Sequence, residues 1–246
     1  MNNCKNQCQE MIHELTDKIL SYRIENRNGD HQIITPNSKS YMPQIITVSS
    51  RKKRAAVLIC IYSGANGELR VILTRRSMQL SSHPGEVALP GGKTDDADAD
   101  DSATALREAM EEIGLDRSLV RVVANLDPFI SSNLLTVVPV VGLLSNVEDF
   151  KPVLNADEVD AIFDAPLEMF LQEDGRHKCL EKEWKGWKYA CHVFSLEAEQ
   201  GNFVVGGLTA SILIQAASII YKRSPSFDQN LQDFSQLQST LNLLNS

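Results

Sequence analysis

Three glutamates, Glu108, Glu111 and Glu112, sit at spacings of i, i+3 and i+4, which makes them neighbours on the surface of a helix. Like charges held that close repel, and a helix with only a structural role gains nothing by collecting them. Hard, oxygen-seeking cations remove the penalty. Magnesium or manganese suits a site that keeps positions open for water and phosphate oxygens. The same three residues could also form a plain solvated acidic face. What favours the cation reading is their company: Gly91-Gly92 ahead of the helix, Arg107 within it and Gly114 at its end. In the expected helix Ala103, Leu106, Ala109, Met110 and Ile113 share one side, with the carboxylates almost opposite.

Arg107-Glu108, Glu111-Glu112, Gly114 and Leu115 closely resemble the second half of the Nudix hydrolase box, Gly-x5-Glu-x7-Arg-Glu-U-x-Glu-Glu-x-Gly-U, where U is a bulky apolar residue. The first half departs from that pattern. Counting from Gly92, Asp98 stands where the pattern has glutamate, and the loop to Arg107 is one residue longer. Asp96, Asp98, Asp100 and Asp101 all remain candidates for an extra carboxylate. Upstream, Leu73-Thr74, Arg76-Ser77, Gly85 and Pro90-Gly91-Gly92 resemble the signature of the coenzyme A diphosphatase subgroup, and Phe203–Val205 with Gly206-Gly207-Leu208-Thr209-Ala210 is similar to its plant-type members. Ser81 replaces an arginine of that signature and Leu89 a phenylalanine.

The resemblance implies an α/β fold, a Nudix-like α/β/α sandwich with a mixed sheet between helices. It implies Glu108, Glu111 and Glu112 as metal ligands for Mg2+ or Mn2+. Glu111 doubles as the candidate base, Arg107 orients the carboxylates, and Glu158 is held in reserve as a further ligand or base. Arg75, Arg76, Ser77, His83, Gly91, Gly92 and Lys93 form the expected substrate-binding set, the arginines as fork-shaped phosphate donors and the glycines as a tight turn. The implied reaction is hydrolysis of the diphosphate of coenzyme A, or of its acyl esters, to adenosine 3′,5′-bisphosphate and a 4′-phosphopantetheine product. ADP-ribose or NADH are alternative substrates, and a catalytically silent ligand-binding module is the rival from outside enzymology. No Gly-x-Ser-x-Gly elbow points to a serine hydrolase and no Walker loop to an NTPase.

The chain's 246 residues are 43% hydrophobic, enough for one sizeable domain with extensions. The expected layout is a helical extension and connector over 1–50, the catalytic domain over 51–223 and a tail over 224–246. A net charge of −8 argues against nucleic acid and acidic membranes as partners, so a small-molecule substrate is expected and the oligomeric state stays open. No run of about 18 apolar residues suggests a membrane span. Five scattered cysteines without a metal-binding spacing suggest a reducing compartment, and the absence of a recognisable leader sets cytoplasm as the expectation.

Helical spacing predicts an amphipathic helix over 8–23, and the basic run 51–54 reads as a solvated lead-in to a strand. Strands are expected over 55–62 and 68–74 with an Asn66-Gly67 hairpin, then over 119–126, 135–144 and 187–196. Asn155–Leu171 reads as a helix opened by Asn-Ala-Asp-Glu, and 172–185 as a charged loop. An apolar helix runs from Gly206 to about Tyr221. In the tail, Phe234, Leu237, Leu241 and Leu244 suggest a short docking helix.

Overall fold

A computed structural model describes residues 17, 54–184, 186–228, 231–234 and 236. The helix expected over 8–23 (Asp17 apart), the connector to 50 and the basic residues 51–53 lie outside the described residues, as does the tail beyond Gln236.

The continuous apolar run becomes β1 (Arg54–Ser63), and its alternation explains why it is apolar throughout. Ala56, Leu58, Cys60 and Tyr62 join the core on one face of the sheet; Ala55, Ile59 and Ile61 join the core on the other. The Cys60 thiol is free, and burial pushes its pKa up to about 12. Next comes β2 (Leu69–Arg76), entered by the expected hairpin with Gly67 at φ +83°. These two strands pair antiparallel only at Ile61–Ser63 with Leu69–Val71, then part. Wedged between them are β3 (Val87–Ala88), on the end of β2, and β4 (Gly91–Lys93), on the start of β1. The Leu58 amide donates to the Pro90 carbonyl at 2.7 Å between them. The double glycine thus sits inside a split in the sheet.

Helix α1 (Asp101–Ile113) begins at Asp100, whose side chain accepts from the Ala103 amide, and ends at Gly114, in the left-handed region at φ +69°. After it come β5 (Val120–Asn125), β6 (Phe129–Ile130), β7 (Thr136–Leu144) and β8 (Val159–Pro166). The eight-stranded mixed sheet runs β3-β2-β1-β7-β5, with β7 parallel to β1 and β8 antiparallel to β2. A turn of 3-10 helix, Leu167–Leu171, leads to β9 (His177–Trp184), β10 (Trp187–Ala198), β11 (Gly201–Gly206) and α2 (Gly207–Tyr221). Strands β9, β10 and β11 form a second, three-stranded antiparallel sheet. Helix α1 packs on one face of the main sheet through Ala105, Ala109 and Ile113; α2 and the second sheet cover the other.

Two expectations fail for identifiable reasons. Asn155–Leu171 is no helix: Val159, Ala161, Phe163 and Ala165 are buried at every second position, the period of a strand, and Asn155 closes a turn by accepting from the Asp157 amide. The charged stretch 172–185 contains β9, an edge strand with nearly every residue solvent-facing, which leaves no apolar alternation to read.

Ser226 and Phe227 follow α2 back across the second sheet. The Phe227 ring stacks 3.9 Å from His177, whose Nε2 lies 3.0 Å from Nδ1 of the buried His192. Burial, with a contribution from His177, pushes the His192 pKa down to about 4. The unfolded chain therefore binds a proton near pH 6.5 that the fold resists, so stability falls as pH drops from about 6.5 towards 4. We predict that wild type loses more thermal stability than His192→Phe over that interval; parallel melting curves at pH 7 and pH 5 check it.

Candidate functional site

The carboxylates of α1 do not share one exposed face. The helix meets the sheet through Ala105 and Ala109, small enough for close approach, and this turns Met110 to solvent and carries Glu112 inward. Met110 is 54% exposed and Glu112 only 5%. Glu112 survives burial because its Oε2 accepts from the Gly91 amide at 3.1 Å. Glu108 is half-buried against Gly92, and Glu111 projects into solvent.

Arg107 ties this group together. Its Nε and Nη2 donate to the two oxygens of Asp98, at 2.9 and 3.0 Å. Nη1 donates to Glu108 Oε1 and to Glu111 Oε2, both at 3.0 Å, and Nη2 also reaches the Lys93 carbonyl at 3.0 Å. All five guanidinium N–H groups are engaged by protein, so Arg107 positions carboxylates and has no donor left for a substrate. Asp98 is buried, and also accepts from the Thr104 hydroxyl and the Asp95 amide, each at 2.9 Å. Arg107 holds its carboxyl well below the usual range.

This separates the loop aspartates. Asp98 meets Arg107, Asp100 caps α1, and Asp101 forms a bidentate pair with Arg54 at 2.6 and 2.7 Å. Sequence reasoning left the choice open, although Asp98 occupies the glutamate register of the box when counted from Gly92.

Burial raises the pKa of Glu108 and brings that of Glu112 to about 8; Glu108 and Glu158 reinforce the shift at Glu112. Glu158 is delivered by the irregular segment after residue 150 and the turn that ends it. The Val153 amide donates to Ile113 O at 3.0 Å, the Asn155 amide to Glu112 O at 2.9 Å, and the Ser77 amide to the carbonyl of Glu158 at 2.9 Å. Among the described residues no three His, Cys, Asp or Glu side chains converge as a ready-made cation cage. The donor chemistry nevertheless fits a hard cation, since carboxylates whose burial and mutual repulsion raise their pKa are those a divalent ion would relieve.

The expected substrate-binding residues divide. Strand alternation puts Arg75 and Arg76 on opposite faces: Arg76 acts electrostatically on Glu112, whereas Arg75 lies over the Phe203 ring, 5.7 Å from its centre, and 4.0 Å from Asp160. Among the described residues Arg76 makes no ion pair: its Nη2 donates to the Ser82 carbonyl at 3.4 Å, and its buried Nε, like that of Arg75, has no hydrogen-bond acceptor. Ser77 is buried, its Oγ accepting from the Gln79 amide, so it holds the turn. His83, exposed, pairs with Glu86 at 2.9 Å, and Lys93 keeps its side chain in solvent.

A sequence profile described as the NUDIX domain matches residues 52–187. The chain belongs to the Nudix hydrolase family. It is 48% identical over 219 residues to the mitochondrial Nudix hydrolase 15 of Arabidopsis thaliana, covering 89% of this chain and 74% of that one. To the chloroplastic Nudix hydrolase 22 of the same plant it is 47% identical over 211 residues, covering 86% and 68%. To the peroxisomal coenzyme A diphosphatase NUDT7 of Mus musculus it is 40% identical over 171 residues, covering 68% and 71%. The cytoplasmic expectation does not stand, because these relatives are named for the mitochondrion, chloroplast and peroxisome. The profile ends at the start of β10, so the rest of the second sheet and α2 lie beyond it.

The two glycines of this Nudix hydrolase make separable demands. A Cβ on Gly91 (φ +151°) would lie 2.4 Å from the Ala56 carbonyl oxygen and 2.6 Å from Val57 Cα, whereas the nearest atoms to one on Gly92 would be those of the Glu108 carboxylate, at 2.5 Å. Gly91→Ala should lower the melting temperature by about 5 °C or more, because backbone must move. Gly92→Ala should keep the melting temperature within about 2 °C yet cut turnover at least about 10-fold, because Glu108 is displaced. Calorimetry and steady-state assays on both variants check this pair.

Proposed function

We propose that this Nudix hydrolase cleaves the diphosphate of coenzyme A, and of its acyl esters, to adenosine 3′,5′-bisphosphate and 4′-phosphopantetheine or the acylated form. The observation that carries this reading is Arg76, a guanidinium without an ion pair among the described residues, held on the carboxylate side of the sheet within a signature like that of the coenzyme A diphosphatases. The 40% identity to the mouse enzyme of that name supports it.

Glu108 and Glu112 would hold Mg2+ or Mn2+, with Glu111 as a further ligand. Such an ion, when bound, neutralises diphosphate oxygens and lowers the pKa of water. The protein's own part is positioning. Asp98 fixes Arg107, Arg107 aims Glu108 and Glu111, and the Gly91 amide aims Glu112. Arg76 presents a fork to a phosphate oxygen. Glu111 and Glu158 are the groups able to take the proton from attacking water, which adds to phosphorus as the bridging P–O bond breaks.

Purified protein incubated with coenzyme A and Mg2+ should yield adenosine 3′,5′-bisphosphate, and a chelator should stop it. Equal or faster turnover of ADP-ribose or NADH in parallel assays would refute the coenzyme A assignment while leaving the hydrolase intact.

The division of the arginines gives a second expectation. Arg76→Ala should lower kcat/KM about 100-fold with little change in melting temperature, and Arg75→Ala should do the reverse, costing stability but less than about 3-fold in kcat/KM. Kinetics and melting curves measured on the same preparations distinguish the two.

A further inference from the structure

Strand β8 meets the end of β2 out of register. Arg75 pairs with Ala161, but Arg76 pairs with Val159, so Asp160 is an extra residue on β8, a β-bulge. The core records the shift. Ile162 and Val159 both lie on the face that α1 covers, although unbroken alternation would send one of them to the other side. The bulge thus sets Val159 beside Arg76 and reverses the facing of the chain that leads into β8.

The extra residue has a partner of its own. Asp160 Oδ2 accepts from the Met78 amide at 3.2 Å, and the Glu158 carbonyl accepts from the Ser77 amide at 2.9 Å. The first two amides after Arg76 are therefore held by the residues on either side of Val159. Behind them, the Asn155 carbonyl accepts from the Glu158 and Val159 amides at 2.9 and 2.8 Å, and the Asn155 amide donates to Glu112 O. A run of main-chain bonds so connects Glu112 with Glu158 and the turn after Arg76, and the Asp160 carboxylate pins that turn. Arg76 is the last residue of β2, so the turn determines where its guanidinium points.

We propose that Asp160 is a positioning residue: by holding the Met78 amide it fixes the turn after Arg76, and with it the placement of that guanidinium against the carboxylates of Glu158 and Glu112. The proposal rests on the reading of Arg76 as the phosphate fork. The competing role is an ion pair with Arg75, whose Nε lies 4.0 Å from Asp160 Oδ2. With side chains 40% and 27% exposed, that pair is long and open to solvent, and it contributes little beside a direct bond to an amide. The two roles separate cleanly, because asparagine keeps an acceptor for the amide and loses the charge.

The test compares Asp160→Ala with Asp160→Asn in the full chain. It uses amide hydrogen exchange over residues 76–82, and steady-state kinetics on whichever of coenzyme A, ADP-ribose or NADH the wild type cleaves fastest. Asp160→Ala should speed exchange at the Met78 amide at least about 10-fold and lower kcat/KM roughly 10-fold. Asp160→Asn should stay within about 3-fold of wild type in both. In an Arg76→Ala background Asp160→Ala should cost less than about 3-fold more, because the arginine through which it acts is gone. A purely structural aspartate would show no such dependence on Arg76. Unchanged exchange in Asp160→Ala, equal losses in both Asp160 variants, or an undiminished loss in the Arg76→Ala background overturns the proposal. Faster cleavage of ADP-ribose than of coenzyme A would refute the substrate assignment alone, since the Asp160 comparison is then read on ADP-ribose.

Discussion

The site depends on one ion pair set deep in the loop before α1. Asp98 is almost wholly buried and receives both prongs of Arg107 together with two further donors. A carboxylate so satisfied cannot leave its place cheaply, because removing Arg107 would strand the Asp98 charge away from water. Arg107 is thereby immobilised, and its remaining N–H groups determine where Glu108 and Glu111 point. The order of dependence runs from loop to arginine to acids. The network also bears on how an enzyme with net charge −8 could face the diphosphate proposed as its substrate. Arg107 offsets the acids locally, and Arg76 stays available beside them.

The split between β1 and β2 is the architectural counterpart. A hairpin that stayed zipped would leave no gap for Pro90 and the glycines. By parting after three residue pairs the strands create two short free edges, which β3 and β4 fill. The absence of side chains at Gly91 and Gly92 then serves two purposes. One lets backbone pass Val57, and the other leaves room for a carboxylate.

Much of this was legible in the residues because the box couples local chemistry to local conformation. A helix with Gly114 as its C-cap and acids at i, i+3 and i+4 can be read without tertiary information. What could not be read was the rotation of α1 about its axis. An apolar count placed Met110 inside and Glu112 outside, but the close contact through Ala105 and Ala109, with an amide waiting at Gly91, reverses them. Likewise the adjacent Arg75 and Arg76 both read as fork-shaped phosphate donors until strand alternation separated them. Strand β8 was mistaken for a helix because its cap-like opening outweighed an alternation written partly in alanine. Strand β9 carries its information only in backbone pairing to β10.

Arg54 through Val57 offer a different lesson. They precede the glycine turn by some forty positions and bear no reactive group, yet Ala55, Ala56 and Val57 are the register partners of Lys93, Gly92 and Gly91, and Arg54 grips the first turn of α1. The strand that carries them thus frames the proposed reaction centre. Natural variants in this quiet alanine-rich stretch therefore bear on the proposed site, since displacing Ala56 or Val57 displaces the backbone paired with Gly92 and Gly91.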